Sequence, residues 1–497
     1  MEKQIWILNP DYSFKNDGDR ICMYTKKERK YDSSADWIGY IHPTQAMILG
    51  IFTSGRPLIE LCQELSRHLA IDVNVLQNLI EKYIENDTPV YTKWGSTSIL
   101  FPKNVLICAD KINIEQIHYD FSFDELQCDK VDITPDRSHL APHSILWMMT
   151  TACATNCKYC YADRKTIHNP LSTARILELI DEFHSLKMGY VDLIGGEFFL
   201  RKDWDVILKK LVDYGMSPTY LSTKLPITES IGDKLLATNY HNVIQISLDS
   251  MSDDVLHKTI GTLPGYVEKI KDGIAILEKH GYHIQIDTIL TSENSSCEDI
   301  NNLYDYIKTI KNLTMWEIRV PELSLYTPHT FSEIKASKFV LRNIRNYVNS
   351  HLIPNAPIKI VFSSEALDEN FRQDGPTKEC FQGGTCGILQ NRAFVLPDGK
   401  VSVCEQMYWH KDFIIGDLSC QSIIDVWNSP KAHTLFKMSK ALFRKESTCY
   451  HCNHFSKCNQ SKRRCVVKVV KAYGLDNWDY PDPRCKFAPD LKTDLKY

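Results

Sequence analysis

No run in this chain approaches the ~20 consecutive apolar residues that a membrane span needs, so no transmembrane helix is expected. The N-terminal stretch MEKQIWILNPDYSF lacks a long apolar core followed by small residues, so no secretory signal is expected either. Charge of one sign is also missing. The formal net charge is −4, which gives no global field toward nucleic acid or an anionic membrane. Cysteine, by contrast, is plentiful, with 17 residues. A long cysteine-rich chain without a signal points to a reducing compartment, the cytoplasm, and to thiols that serve metals or catalysis rather than disulfides. The 497 residues allow about three domains at ~150 residues each. An apolar share of 43% and a charged share of 24% are those of an ordinary globular protein.

Eleven of the cysteines fall into two groups. Cys153, Cys157 and Cys160 stand on one short stretch, TACATNCKYCYADR. Cys380, Cys386, Cys404, Cys449, Cys452, Cys458, Cys465 and Cys485 form the second group. Three thiolates hold three corners of a cubic iron–sulfur cluster and leave one iron open, whereas eight close two cubes. Structural zinc is the alternative at both places, but the first site has no fourth ligand at a usual spacing. The remaining cysteines, Cys22, Cys62, Cys108, Cys128, Cys297 and Cys420, are scattered and read as packing thiols.

Three regions follow along the chain. Residues 1–100 open with two strand-like pieces, KQIWILN and DRICMYT, separated by the turn-rich NPDYSFKNDGD. Three helices come next. The first runs from about Pro43 to Phe52, and the second carries Leu58, Leu61, Cys62, Leu65 and Leu69 on one face. Asp72 can cap the third, whose apolar face is Val75, Leu76, Leu79, Ile80, Tyr83 and Ile84. Small strands with three helices describe a winged helix-turn-helix. From His42 to Asn86 there are three basic residues against five acidic ones, which argues against nucleic acid. The basic cluster Lys26, Lys27, Arg29 and Lys30 follows a strand, and a strand edge beside it could take an extended acidic peptide. Residues 101–143 read as a linker with some local structure.

Residues 144–364 alternate strands and helices, the pattern of a parallel sheet in a partial (β/α)6 barrel, with chemistry at the C-terminal ends of the strands. The three-cysteine stretch lies just after the first of these strands. Residues 365–497 lose the periodicity. They hold the second cysteine group and a hairpin signal at Pro397-Asp398-Gly399, so metal rather than apolar burial is expected to organise them.

CATNCKYC, with Tyr159 before its last cysteine, resembles the CxxxCxΦC loop of the radical S-adenosylmethionine (SAM) superfamily. Gly195-Gly196-Glu197 at the end of the second barrel strand resembles the superfamily's GGE motif, with Phe198 in place of the usual proline. The resemblance implies a [4Fe–4S] cluster on Cys153, Cys157 and Cys160, with SAM chelating the open iron and yielding a 5′-deoxyadenosyl radical that abstracts hydrogen. It implies that Glu197 accepts the cofactor's ammonium group and that Gly195 and Gly196 let backbone approach it. Ser222, Ser247 and Asp249 fall where the family binds ribose or methionine groups, although Asp249 could equally cap a helix. Arg319 could meet a carboxylate or form a pair inside the barrel.

The second group resembles the SPASM extension of peptide-modifying radical enzymes. The resemblance implies one auxiliary [4Fe–4S] cluster on Cys380, Cys386, Cys404 and Cys465 and another on Cys449, Cys452, Cys458 and Cys485. Six residues, NQSKRR, separate Cys458 from Cys465 where the family usually has three. Glu405 stands where related enzymes carry an acidic residue that takes a proton from substrate. Taken together, the regions resemble a maturase of ribosomally made peptides. The expected partners are a precursor peptide held by its leader and a one-electron donor such as flavodoxin or ferredoxin. The expected product is a cross-link, a cysteine thioether above all. Formylglycine formation on sulfatases is the alternative within the superfamily, and a metal-dependent winged-helix regulator is the alternative outside it.

Overall fold

A computed structural model of the chain describes residues 4–26, 37–114, 117–134, 136–164, 169–363, 386–460 and 464–492. Cys380 and the basic residues Lys27, Arg29 and Lys30 lie outside them. The chain divides into two compact units, Met1–Pro142 and His143–Tyr497.

In the first unit, β1 (Trp6–Leu8) pairs antiparallel with β7 (Leu106–Cys108). Strands β2 (Tyr12–Asn16), β3 (Ile21–Thr25) and β4 (Ile38–Ile41) form an antiparallel sheet in the order β2-β3-β4. β2 was hidden in the stretch read as turns, because its polar residues Ser13 and Lys15 are buried together with Phe14. The strand that leads into the basic cluster, β3, is the central one, so its edges are already used. Any free edge belongs to β2 or β4.

Three helices follow: α1 (Pro43–Gly50), α2 (Leu58–Leu69) and α3 (Val73–Ile80). Pro43 opens α1 behind a His42–Gln45 capping box, and the Asp72 carboxylate caps α3 at Asn74 N–H, 2.9 Å away. Leu61, Cys62 and Leu65 are the buried face of α2. In α3 the buried face is Leu76, Ile80 and the following Tyr83, while Val75 points to solvent. At 100° per residue, Val75 is a quarter-turn off that stripe. A hairpin, β5 (Val90–Trp94) and β6 (Thr97–Phe101), completes the set. The stretch read as a linker folds here too: Leu106 extends β7, and Leu126 and Ile133 are buried in the same core as Phe14, Leu61 and Phe101.

The second unit contains the expected strands: β8 (Ser144–Met148), β9 (Tyr190–Ile194), β10 (Tyr220–Thr223), β11 (Val243–Ser247), β12 (Ile284–Ile289) and β13 (Leu313–Arg319). A seventh, β14 (Ile360–Ser363), was not anticipated. β8 and β9 are parallel, and β10 to β14 form a second parallel run. Between the two groups the Asp192 carboxylate accepts hydrogen bonds from Thr219 N–H (3.2 Å) and Oγ1 (3.0 Å), so a side chain bridges β9 to the segment entering β10.

The crossover helices are α4 (Thr173–Ser185), α5 (Trp204–Asp213), α6 (Glu229–Ala237), α7 (Asp253–Ile260), α8 (Tyr266–Lys279) and α9 (Cys297–Ile307), followed by α10 (Pro328–Ile334) and α11 (Lys338–Tyr347). Ser or Thr side chains cap α4, α6, α7, α9 and α11. α7 was not anticipated. Cys297, read as a packing thiol, is exposed at the start of α9, and Cys420 is exposed as well, whereas Cys22, Cys62 and Cys108 are buried as expected.

The hairpin around Gly399 is present, as β15 (Arg392–Val395) and β16 (Lys400–Ser402), and β17 (Ile414–Asp417) follows. Gly399 has φ +90°, a conformation that favours glycine. β15 pairs parallel with β8, so the cysteine-rich region continues the first strand's sheet in the order β17-β16-β15-β8-β9. β8 is therefore a central strand, and all five of its residues are buried.

Candidate functional site

The strand registers put polar residues on one face of the second sheet. Ser222, Gln245 and Gln285 are neighbours across β10, β11 and β12, and Ser247, Asp287 and Glu317 are neighbours across β11, β12 and β13. The alternate residues, such as Ile244, Ile286 and Trp316, are apolar and buried, and Trp316 stacks on Tyr304 of α9. The helices therefore cover the apolar face, and the polar face lies opposite them. Arg319 is held on it by Asp287 (2.8 Å) and Glu317 (2.7 Å), which is the internal pairing of the two readings above. Burial pushes the Asp287 carboxyl up to about 6 despite the Arg319 charge.

The three-cysteine loop emerges from β8. Thr155 Oγ1 stands between two sulfurs, 3.9 Å from Cys153 and 3.3 Å from Cys157. Backbone bonds fix the loop to α7: Asn156 N–H donates to Ile260 C=O (2.8 Å) and Lys158 N–H to Thr259 C=O (2.9 Å). On its other side, the Cys160 carbonyl accepts from Ser324 Oγ (2.8 Å) and Thr327 Oγ1 (2.9 Å). α7 thus holds the loop in place. Burial raises the Cys157 and Cys160 thiols, so without metal they favour the protonated form, and taking up iron would release protons.

The end of β9 lies directly against this loop. Gly196 N–H donates to Thr150 C=O (2.8 Å) and Glu197 N–H to Ala152 C=O (2.7 Å). A Cβ on Gly196 would stand 1.9 Å from the Ala152 carbonyl oxygen, and one on Gly195, at φ +138°, 2.6 Å from that of Thr150. The two glycines are needed for the approach of the cysteine loop itself.

Glu197 is buried. Its Oε2 accepts from the backbone N–H of Lys224 (3.0 Å) and Leu225 (3.2 Å), while Oε1 is buried without a partner. Burial pushes its carboxyl up to about 7, against the opposing pull of those N–H groups. An orphaned carboxylate oxygen beside a three-thiol loop fits a bound ammonium group, which would supply the missing donor.

Asp249 is engaged by protein groups rather than capping a helix; Ser252 caps α7. One carboxylate oxygen takes the Tyr159 hydroxyl and the other takes Ile289 N–H at 2.8 Å. Tyr159 is thereby tied to the end of β11. Ser247 Oγ accepts from Gln245 Nε2 (3.0 Å), and Ser222 is exposed at the end of β10. Lys224 belongs to none of the sequence motifs above. Its ammonium lies 3.6 Å from Asp249 and 5.6 Å from the centre of the Tyr159 ring. Its position just past the third strand's C-terminal end was the signal that could have found it.

In the cysteine-rich region, Cys449, Cys452, Cys458 and Cys485 line one cavity, with Cys386 at the same wall. Burial pushes the Cys449 thiol up to about 12, offset by Arg464 and reinforced by Cys485, Cys458 and Cys452. Cys404 is also pushed up to about 12 by burial, with Glu405, Cys465 and Cys386 adding to it. Cys465, the residue placed in doubt by its spacing, is thus a neighbour of Cys404 and Cys386. Two sets of half-buried thiols suit thiolate-bound iron. Burial raises the Glu405 carboxyl as well, against the charge of Arg392.

Residues 147–307 match the radical SAM superfamily, and residues 386–453 match the SPASM iron–sulfur cluster-binding domain. Among curated relatives, an AdoMet-dependent heme synthase of Methanosarcina barkeri is 27% identical over 34% of this chain and 48% of its own length. The mycofactocin maturase MftC of Mycobacterium tuberculosis is 28% identical over 31% of this chain and 39% of its own. The chain thus spans less than half the length of these relatives. Crystalline Streptococcus suis SuiB bound to its precursor peptide SuiA shares the fold over 96% of this chain and 99% of its own, at TM-score 0.61 and 14% identity. The first match contains Cys153, Cys157 and Cys160 and the second contains Cys386, Cys404, Cys449 and Cys452, so the chain carries a radical SAM domain followed by a SPASM domain.

Proposed function

We propose that the chain is a peptide maturase that removes hydrogen from a ribosomally made precursor and installs a cross-link, most simply a cysteine thioether. The observation that carries this reading is the first unit, a separate body of strands, three helices and a hairpin placed ahead of the radical SAM domain. It has a counterpart within a fold shared over 96% of the chain with SuiB, a protein crystallised with its precursor peptide. The unit is read as a winged helix-turn-helix that holds the leader as an added strand on β2 or β4. A mycofactocin maturase among the relatives agrees with a maturase reading, but its match, like that of the heme synthase, covers about a third of the chain, so neither match by itself assigns a substrate.

A [4Fe–4S] cluster on Cys153, Cys157 and Cys160 with bound SAM would supply hydrogen-atom abstraction. The chain's own residues do the rest. Glu197 Oε1 takes the cofactor's ammonium, and Ser222 and Ser247 offer hydroxyls along the polar face. Asp249 positions the loop through Tyr159. Glu405, its carboxyl raised by burial, takes a proton from the substrate. Cys386, Cys404 and Cys465, joined by Cys380, hold one auxiliary cluster, and Cys449, Cys452, Cys458 and Cys485 hold the other, making three in all. A small one-electron carrier of the flavodoxin or ferredoxin kind supplies reducing equivalents. Among the described residues no helix is long and apolar enough to cross a membrane, and the protein is read as cytoplasmic.

The test is anaerobic coexpression with a candidate precursor, followed by mass spectrometry. Loss of two hydrogens with a blocked cysteine supports the thioether. Unchanged mass with altered chirality replaces it with epimerisation, and an unmodified peptide removes the reading.

A further inference from the structure

The cavity lined by Cys449, Cys452, Cys458 and Cys485 also contains the side chain of Arg464. Arg464 is the last residue of the insertion that lengthens the spacing before Cys465. Its guanidinium donates to the carbonyl of Trp478 and, at 3.0 Å, to that of Tyr480. It lies 4.8 Å from the centre of the Phe443 ring and 3.7 Å from Met438 Sδ. The nearby carboxylates are committed elsewhere: Asp479 to Arg444 at 2.5 Å and Asp482 to Arg484 at 2.8 Å. Among the described residues, no carboxylate reaches ion-pair distance of Arg464. The groups it faces electrostatically are Cys449 first, then Asp482, Cys458 and Asp479.

An unpaired guanidinium at a cavity wall is costly to enclose. Filling the cavity with a thiolate-bound cluster would enclose it and also give it an anion. We propose that Arg464 is the counter-cation of the cluster held by these four cysteines, and that it raises that cluster's reduction potential. This rests on the ligand set assigned above. On reduction the cluster gains one negative charge, and a fixed neighbouring cation stabilises that form more than the oxidised one. With the cluster bound, that poise would suit it to take up the one electron given up when a substrate radical is oxidised, with no bond at the cluster formed or broken. Arg464 acts as a positioning residue, through its charge.

The test uses the full chain with Cys153, Cys157 and Cys160 replaced by alanine, so that only auxiliary clusters contribute. Redox titration is followed by electron paramagnetic resonance, and the signal lost in a Cys449→Ala/Cys452→Ala variant identifies the cluster. Arg464→Gln is expected to lower its midpoint at least tenfold in the reduction equilibrium, about 59 mV for a one-electron couple. Arg464→Met with Met438→Lys returns a cation to the same pocket and is expected to restore it. An unchanged midpoint in Arg464→Gln overturns the proposal, as does a midpoint equally lowered in the charge-restored variant. Iron loss in Arg464→Gln that the charge-restored variant repairs supports it, and iron loss in both overturns it. Full iron retained in Cys449→Ala/Cys452→Ala would instead refute the ligand assignment beneath it.

Discussion

Replacing Glu197 with glutamine probes the cofactor site through a single atom. Oε2 is occupied by two backbone N–H groups, and a glutamine oxygen can keep those bonds. Oε1 is the buried oxygen without a partner, and in the variant an amide that repels an ammonium takes its place. A hydrogen bond to a charged group contributes about 1.5–3 kcal/mol, so SAM should bind roughly ten- to a hundredfold more weakly. The pH dependence adds a second signature. The carboxyl is pushed from 4.5 up to about 7 by burial, so below about pH 7 it holds a proton that ammonium binding must expel. Wild-type affinity should therefore fall about tenfold per pH unit on acidification below that point, and the Glu197→Gln profile should lack this slope. Stability carries the opposite sign. The raised carboxyl favours the folded state below pH 4.5, and that contribution is lost as pH rises through about 7. Anaerobic calorimetry of SAM binding between pH 6 and 8.5 reads both effects. Equal affinity and an equal pH slope in the two proteins would refute the role of Oε1.

Gly196→Ala puts a methyl group 1.9 Å from a backbone oxygen of the cysteine loop, and that oxygen cannot swing aside, so the variant should lose about one cluster's worth of iron and all SAM cleavage. Iron analysis and deoxyadenosine release check this. Cys465→Ala and Cys485→Ala should each remove about four irons, and the double variant about eight, because the proposed assignment places the two residues in different clusters; a double variant no poorer in iron than either single one would contradict the interleaved assignment. Glu405→Gln should stop product formation while deoxyadenosine release continues, as chromatography of the reaction would read. Full product yield in that variant would remove Glu405 from the mechanism.

Much of this architecture was legible because its signals are periodic or chemical. Strands β8 to β13 and their long crossover helices announce themselves through apolar alternation, and the cysteine spacings through ligand chemistry. What stayed hidden is short or depends on partners distant in sequence. β14 has four residues, and α7, eight residues long, begins with two aspartates and has a narrow buried stripe of Leu256, Thr259 and Ile260. Yet α7 is the helix that fixes the cysteine loop. β2 carries Lys15 into a buried position, against the polarity rule that flagged it as a turn. The residues read as a linker give up Leu126 and Ile133 to a core that only folding assembles. At the site, the motif pointed to Glu197, but only the structure distinguishes its two oxygens. Gly196 looked like a contact for the cofactor, and its closest constraint is Ala152 of the neighbouring loop.

The most direct test of the central claim is isotope transfer. The reduced protein is incubated anaerobically with SAM and a precursor peptide deuterated at the carbon that becomes cross-linked. The account predicts deuterium in the recovered 5′-deoxyadenosine, together with peptide short of that deuterium. Deoxyadenosine that forms at the same rate without peptide and never carries the label would contradict it.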